Sequence, residues 1–259
     1  MLVKLLKWPF RLLYGIYCWL VFLVMALVCL NLLLVMPGLG RRRWIARVTA
    51  RAVFVAWGVR LSICGTERLP AERCIVVGNH ASYLDGLVLT AALPPRFAFV
   101  IKKEMDRVPL ASLLLRRIGS EFVDRHNRHK GAMDARRVLR RASEGQSLVF
   151  FPEGTFSTRP GLLRFHTGAF ATAVRARCSV VPVVIRGTRQ VLSSHAIIPT
   201  PARIVIDVLA TLVPQPENPE AAAQLRDTSR SLMLANLGEP DLDVAESHAL
   251  ELEKSRAAG

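Results

Sequence analysis

The longest uninterrupted apolar pattern opens the chain. Residues 12–36 carry no charged side chain. As a helix they would be about 37 Å long, against a bilayer core about 30 Å thick. A run of this length predicts a membrane-embedded helix, and it exceeds the core of a secretory leader. Lys4, Lys7 and Arg11 precede it; Arg41, Arg42, Arg43 and Arg47 come after it. The larger cluster places the C-terminal side in the cytoplasm. A helical hairpin held in one leaflet is the competing arrangement, with residues 44–58 returning along the membrane surface.

From about residue 61 the pattern changes to short apolar runs alternating with amphipathic stretches. Strands are expected at Cys74–Gly78, 97–101, Glu121–Val123, 147–151, 180–185 and 204–209. Helices are expected at Asp85–Ala92, 109–118, 132–142, 169–176 and 220–237. Pro109 suits a first helical turn, where its missing N–H costs little. Strands separated by helices predict an α/β fold: a central, mostly parallel or mixed sheet flanked by helices. The expected organisation is a membrane-anchoring helical segment (1–60), an α/β domain (61–238) and a polar C-terminal tail (239–259). No internal repeat is visible.

Composition sharpens this picture. The 259 residues are 51% hydrophobic, with a formal net charge of +15 from 35 basic and 20 acidic side chains. Beside a membrane segment, anionic lipid headgroups are the expected partner rather than nucleic acid. An acidic carrier protein is another. The five cysteines have no Cys-x-x-Cys spacing, so structural thiols in a reducing compartment are expected.

Candidate chemistry gathers after two strands. Gly78-Asn79-His80-Ala81-Ser82-Tyr83-Leu84-Asp85 offers an imidazole and a carboxylate. Phe151-Pro152-Glu153-Gly154-Thr155 offers a second carboxylate, a glycine and a hydroxyl. Ligands collect beyond the carboxyl ends of strands in such sheets. His80 suits general-base work because imidazole titrates near neutrality, and Asp85 would fix its tautomer. On a continuous helix a five-residue spacing would turn the two side chains away from each other. They meet only if the segment turns before the helix starts. Ser82-x-x-Asp85 also reads as a capping box, with Asp85 serving the helix terminus alone. His126 and His129 lack the further acids or cysteines that a metal site needs. No metal and no nucleotide cofactor are expected; Gly38-Leu39-Gly40 lacks the third glycine of a dinucleotide fingerprint.

Two further segments complete an ordered set: Gly119-Ser120-Glu121-Phe122-Val123-Asp124-Arg125 and Val181-Pro182-Val183-Val184-Ile185. With these four blocks in order, residues 60–215 resemble the lysophosphatidic acid acyltransferase family (1-acylglycerol-3-phosphate O-acyltransferases). The resemblance implies a membrane-bound enzyme of phospholipid biosynthesis on the cytoplasmic side of the inner membrane. It implies that His80 removes a proton from an acceptor hydroxyl, at sn-2 of a lysolipid, while Asp85 orients it. The acyl group would come directly from acyl carrier protein or acyl-CoA. The chain has no Gly-x-Ser-x-Gly elbow. Arg125 and Lys102 would hold the acceptor phosphate; Glu153, Gly154 and Thr155 would line the acceptor site. Many family members carry arginine after Glu-Gly-Thr, where this chain has Phe156. That departure leaves another lysolipid, such as a lyso-ornithine lipid, open as acceptor. A thioester or lipid hydrolase and a non-catalytic lipid-binding protein are the alternatives from other classes.

Overall fold

The computed structural model describes residues 2–124, 128–193, 195–215 and 218–243, with residues 2–7 and 128 described by backbone alone. Helix α1 (Leu2–Val35) contains all but the last residue of the long apolar run and ends just before Pro37-Gly38, where Gly38 takes φ +82°. Helix α2 (Leu39–Ala56) then folds back along α1. Tyr14 donates to the Trp57 carbonyl at 2.6 Å, and Trp57 Nε1 donates to the Cys18 carbonyl at 2.9 Å. Among the described residues, Trp8–Val35 is the one helix long and apolar enough to cross a membrane.

The rest is an α/β layer. Strands β1 (Arg60–Cys64), β2 (Cys74–Gly78), β3 (Phe97–Lys102), β4 (Glu121–Val123), β5 (Ser147–Phe150), β6 (Ser179–Arg186) and β7 (Arg203–Val208) form one sheet. Their order is β1-β7-β6-β2-β5-β3-β4. β6, β2, β5, β3 and β4 run parallel; β7 is antiparallel to β6 and carries β1 parallel to itself. The helices are α3 (Asp85–Ala92), α4 (Pro109–Arg117), α5 (Arg128–Ser143), α6 (Gly168–Ala176), α7 (Thr188–Val191) and α8 (Ala221–Leu237). This is the α/β fold that the alternation of strands and helices predicts.

β2 shows why the chain adopts it. Successive side chains of a strand point to opposite faces. Cys74 and Val76 enter the core beneath α2 and α3, while Ile75 and Val77 enter the core beneath α5, α6 and α8. A strand buried on both faces needs the unbroken apolar run that Cys74–Gly78 supplies. Each fully buried valine or isoleucine contributes about 1.5–3 kcal/mol.

Arginines fasten α2 to this layer. Arg43 donates to the carbonyls of Ile118 (2.9 Å) and Arg96 (2.8 Å), and Arg51 to that of Ala91 (2.8 Å). Ile118 caps the C-terminus of α4, and Ala91 lies in the last turn of α3. The guanidinium charges therefore meet the negative ends of two helices as well as unpaired carbonyls. The three-arginine run after the apolar segment thus has an inward-facing member: Arg43 is buried.

Candidate active site

The parallel strands end along one edge of the sheet, and the candidate residues come directly after those ends. β2 stops at Gly78, and its partner β5 stops at Phe150, one residue before the second segment begins. Asn79 fixes the exit from β2. Its amide donates to the Ile185 carbonyl (3.0 Å) and accepts the Ile185 N–H (2.7 Å), tying the loop to β6. A buried amide needs such partners.

The chain then turns before α3 begins at Asp85. His80 Nδ1 lies 2.7 Å from Asp85 Oδ2. The same oxygen accepts the N–H groups of Ala81 (2.6 Å) and Ser82 (2.8 Å). Asp85 is fully buried in the first turn of α3, where the helix dipole favours a carboxylate. One oxygen of Asp85 thus bonds the imidazole and two N–H groups of the turn. Ser82 does not cap α3. Its hydroxyl donates to the Leu192 carbonyl (2.6 Å) and accepts the Leu84 N–H (3.2 Å), which braces the turn from another part of the chain.

Glu153 arrives from the neighbouring strand end. One oxygen accepts the His80 N–H at 2.6 Å; the other accepts the Leu163 N–H at 2.9 Å. Burial pushes this carboxyl up to about 8, while its two N–H donors pull the other way; the Asp85 charge raises it further and Arg189 lowers it. Gly154 takes φ +75° in the next turn, a conformation that favours glycine. Thr155 is exposed on the same loop.

The imidazole sits among aromatic rings. Phe151 stacks on it at 4.5 Å between centroids, and Phe156 meets it edge-on at 4.6 Å. Tyr83 lies perpendicular to Phe156 at 4.8 Å. Asp85 occupies Nδ1, so Nε2 is the nitrogen left to exchange a proton. Lys102 ends β3, two strands from β2, or about 10 Å along the edge, and is exposed. Arg125 and His126 lie outside the described residues. Among the described residues no group of three or more His, Cys, Asp or Glu side chains is placed to hold a metal ion.

Comparison with known proteins decides the family. Residues 60–186 match the Acyltransferase family domain. The 1-acyl-sn-glycerol-3-phosphate acyltransferase of Haemophilus influenzae is 32% identical over 154 residues, covering 57% of this chain and 60% of that relative. The human 1-acyl-sn-glycerol-3-phosphate acyltransferase beta is 30% identical over 206 residues, covering 76% of this chain and 72% of that relative. The chain belongs to the 1-acyl-sn-glycerol-3-phosphate acyltransferase family. The crystal structure of the 1-acyl-sn-glycerophosphate (LPA) acyltransferase from Thermotoga maritima has the same fold. It superposes with a TM-score of 0.76 over 89% of this chain and 95% of that one, at 20% identity.

Within this acyltransferase fold, His80, Asp85 and Glu153 come together as a unit, with Gly154 and Thr155 on the adjoining loop and Lys102 farther along the edge. Sequence reasoning passed over Arg189, Leu163 and the ring of Phe151. Phe151 directly precedes the Pro-Glu-Gly-Thr segment, so its position was the available signal. Arg189 lies 36 residues beyond Glu153 in sequence and only the fold brings it near.

Proposed function

We propose that this acyltransferase moves a fatty acyl group from acyl-CoA or acyl carrier protein to the free hydroxyl, at sn-2, of lysophosphatidic acid or a related lysolipid. The observation that carries the reading is the 2.7 Å contact between His80 Nδ1 and Asp85 Oδ2 at the edge where the parallel strands end. Asp85 fixes the tautomer, leaving Nε2 free to take the acceptor's hydroxyl proton. The acceptor oxygen attacks the thioester carbonyl carbon. The tetrahedral intermediate then collapses, the carbon–sulfur bond breaks, and the departing thiolate recovers the proton from Nε2. Ester and thiol are the products. Proton and leaving group are both accounted for, so the transfer needs no cofactor.

Glu153 holds the His80 main chain rather than its ring, so its assigned role is to set where the imidazole stands. Lys102, and Arg125 by sequence position, supply cations for an acceptor phosphate. Phe156 contributes an aromatic edge beside the base where an arginine is usual. The apolar length of α1 supports attachment to the inner membrane with the site on the cytoplasmic side, where anionic lipids would complement the positive charge.

The test is acyl transfer by the purified protein in detergent, wild type against His80→Ala. Loss of a general base costs about 10²–10⁴-fold. A variant within tenfold of wild type removes His80 from the chemistry. Acyl release at an undiminished rate without acceptor would favour hydrolysis.

A further inference from the structure

The chain leaves α8 through Gly238, whose φ of +73° turns it back toward the Glu153 loop. Residues 239–242 are bound to that loop by main-chain and side-chain contacts. The Leu162 N–H donates to the Pro240 carbonyl (3.0 Å), and the Leu242 N–H donates to the Leu162 carbonyl (3.1 Å). Gly161 permits the approach: a Cβ there would stand 2.8 Å from the Pro240 oxygen. Glu239 accepts the Gly161 N–H at 2.7 Å.

Arg230 of α8 reads this junction from the side. Its Nε donates to the Leu163 carbonyl (3.2 Å) and its Nη2 to the Leu162 carbonyl (3.1 Å). Asp241 grips the guanidinium with both oxygens, at 2.7 and 2.5 Å. Leu163 is also the residue whose N–H holds Glu153, and Glu153 holds the N–H of His80. A continuous set of contacts thus runs from Asp241 through Arg230, Leu163 and Glu153 to the main chain of His80. A bidentate arginine pair is a geometric clamp rather than a point charge.

We infer that Arg230 and Asp241 are positioning residues for acyl transfer: they set the Leu162–Leu163 main chain, which aims Glu153 and through it His80. The inference rests on the proposed role of Glu153. The pair touches no reacting atom, so its effect belongs in turnover rather than in acceptor binding. Misplacement of a catalytic group by about 1 Å costs on the order of 100-fold.

The test is a double-mutant cycle on the full chain in detergent, with thermal melting of every variant. Arg230→Gln is expected to lower kcat on the order of 10- to 100-fold with little change in acceptor KM. In a Glu153→Gln background the same substitution is expected to change kcat by less than about twofold, because the route it acts through is already cut. Asp241→Asn should show the same pattern more mildly, and it takes over if Arg230→Gln fails to fold. Arg226→Gln, on the same helix but paired with its neighbour Asp227, should leave kcat unchanged. Equal losses in both backgrounds, a loss confined to KM, or an Arg230→Gln enzyme within twofold of wild type each overturn the inference. A Glu153→Gln enzyme as active as wild type overturns the role of Glu153 and the clamp with it. Reduced activity in Glu153→Gln beside full activity in Arg230→Gln and Asp241→Asn defeats the clamp alone.

Discussion

Glu153 is a buried carboxyl at this site, and its titration carries a stability signature. An exposed glutamate ionises near 4.3; burial moves this one to about 8. Between those values the folded chain keeps a proton that the unfolded chain has lost. Folding is therefore favoured by this group at low pH, and its contribution is lost as pH rises from about 4.3 through about 8. Glu153→Gln has no such group. Unfolding curves at pH 5 and pH 8.5 should show wild type losing stability relative to Glu153→Gln, by a few kcal/mol as an order of magnitude. Parallel pH dependence in the two proteins would mean that Glu153 is ionised throughout. Asp85 makes a different prediction. Asp85→Asn keeps an oxygen for the Ala81 and Ser82 N–H groups but cannot supply the charge that stabilises an imidazolium. Its kcat should fall about 10²–10⁴-fold while its melting temperature stays within a few degrees of wild type. A large drop in stability with kcat preserved would make Asp85 a turn-holding residue only. At this scale the sequence left a choice open. The His80-to-Asp85 spacing fits a dyad or a cap, and only the turn ahead of α3 shows one oxygen meeting both the imidazole and the N–H groups of the turn.

The elements that place the site were legible to different degrees, and burial explains the difference. β2, α3 and β4 match their expected bounds because each is marked by an apolar run or by proline, glycine or serine at its ends. β1 went unread. It is a five-residue edge strand, Arg60-Leu61-Ser62-Ile63-Cys64, whose alternation rests on only two apolar positions, Leu61 and Ile63, too few to stand out from the sequence around it. α7 is four residues long, too short for any helical period to register. The strand order was beyond reach for another reason: pairs such as Arg60 with Arg203 join segments that carry no mutual signal in sequence. Asn79 shows what such long-range ties do. It joins the end of β2 to Ile185 of β6 through one donated and one accepted bond, in a buried position. Asn79→Ala would leave the Ile185 N–H and C=O buried without this partner, at about 1–3 kcal/mol each. The denaturant midpoint should fall with an unchanged slope, and turnover should fall too, because the His80 turn loses its tie. An unchanged midpoint would show that the two strand ends hold their places without the amide.

At the scale of the whole molecule, the question is how a helix long enough to span a bilayer is oriented. α1 is bound to the end of α2 and, at two separated points, to the α/β layer. Near its N-terminal half, Tyr14 and Cys18 bond with Trp57, and Trp19 Nε1 donates to the Ile197 carbonyl at 2.7 Å. Near its C-terminal end, Arg117 donates to the Leu33 carbonyl at 3.0 and 2.7 Å. Residues 14 and 33 are separated by about 28 Å of helix, nearly the thickness of a hydrocarbon core. A perpendicular crossing would carry the Ile197 loop and α4 to opposite membrane faces and pull sheet and loops through lipid, where their polar main chain has no partners. We therefore expect α1 to lie within one leaflet. Its outer face supports this, since Ile16, Leu20, Leu23, Val24 and Leu27 are all exposed. The side that faces the layer is the buried stripe of Cys18, Cys29 and Leu33. A protease-cleavable tag at the N-terminus and another after residue 259 would separate the two orientations in vesicles that expose the catalytic domain outward. In-leaflet α1 predicts that external protease removes both tags. A spanning α1 predicts that the N-terminal tag survives until detergent is added, and that result would require the contact of Arg117 with α1, or that of Trp19 with the Ile197 carbonyl, to break in the membrane.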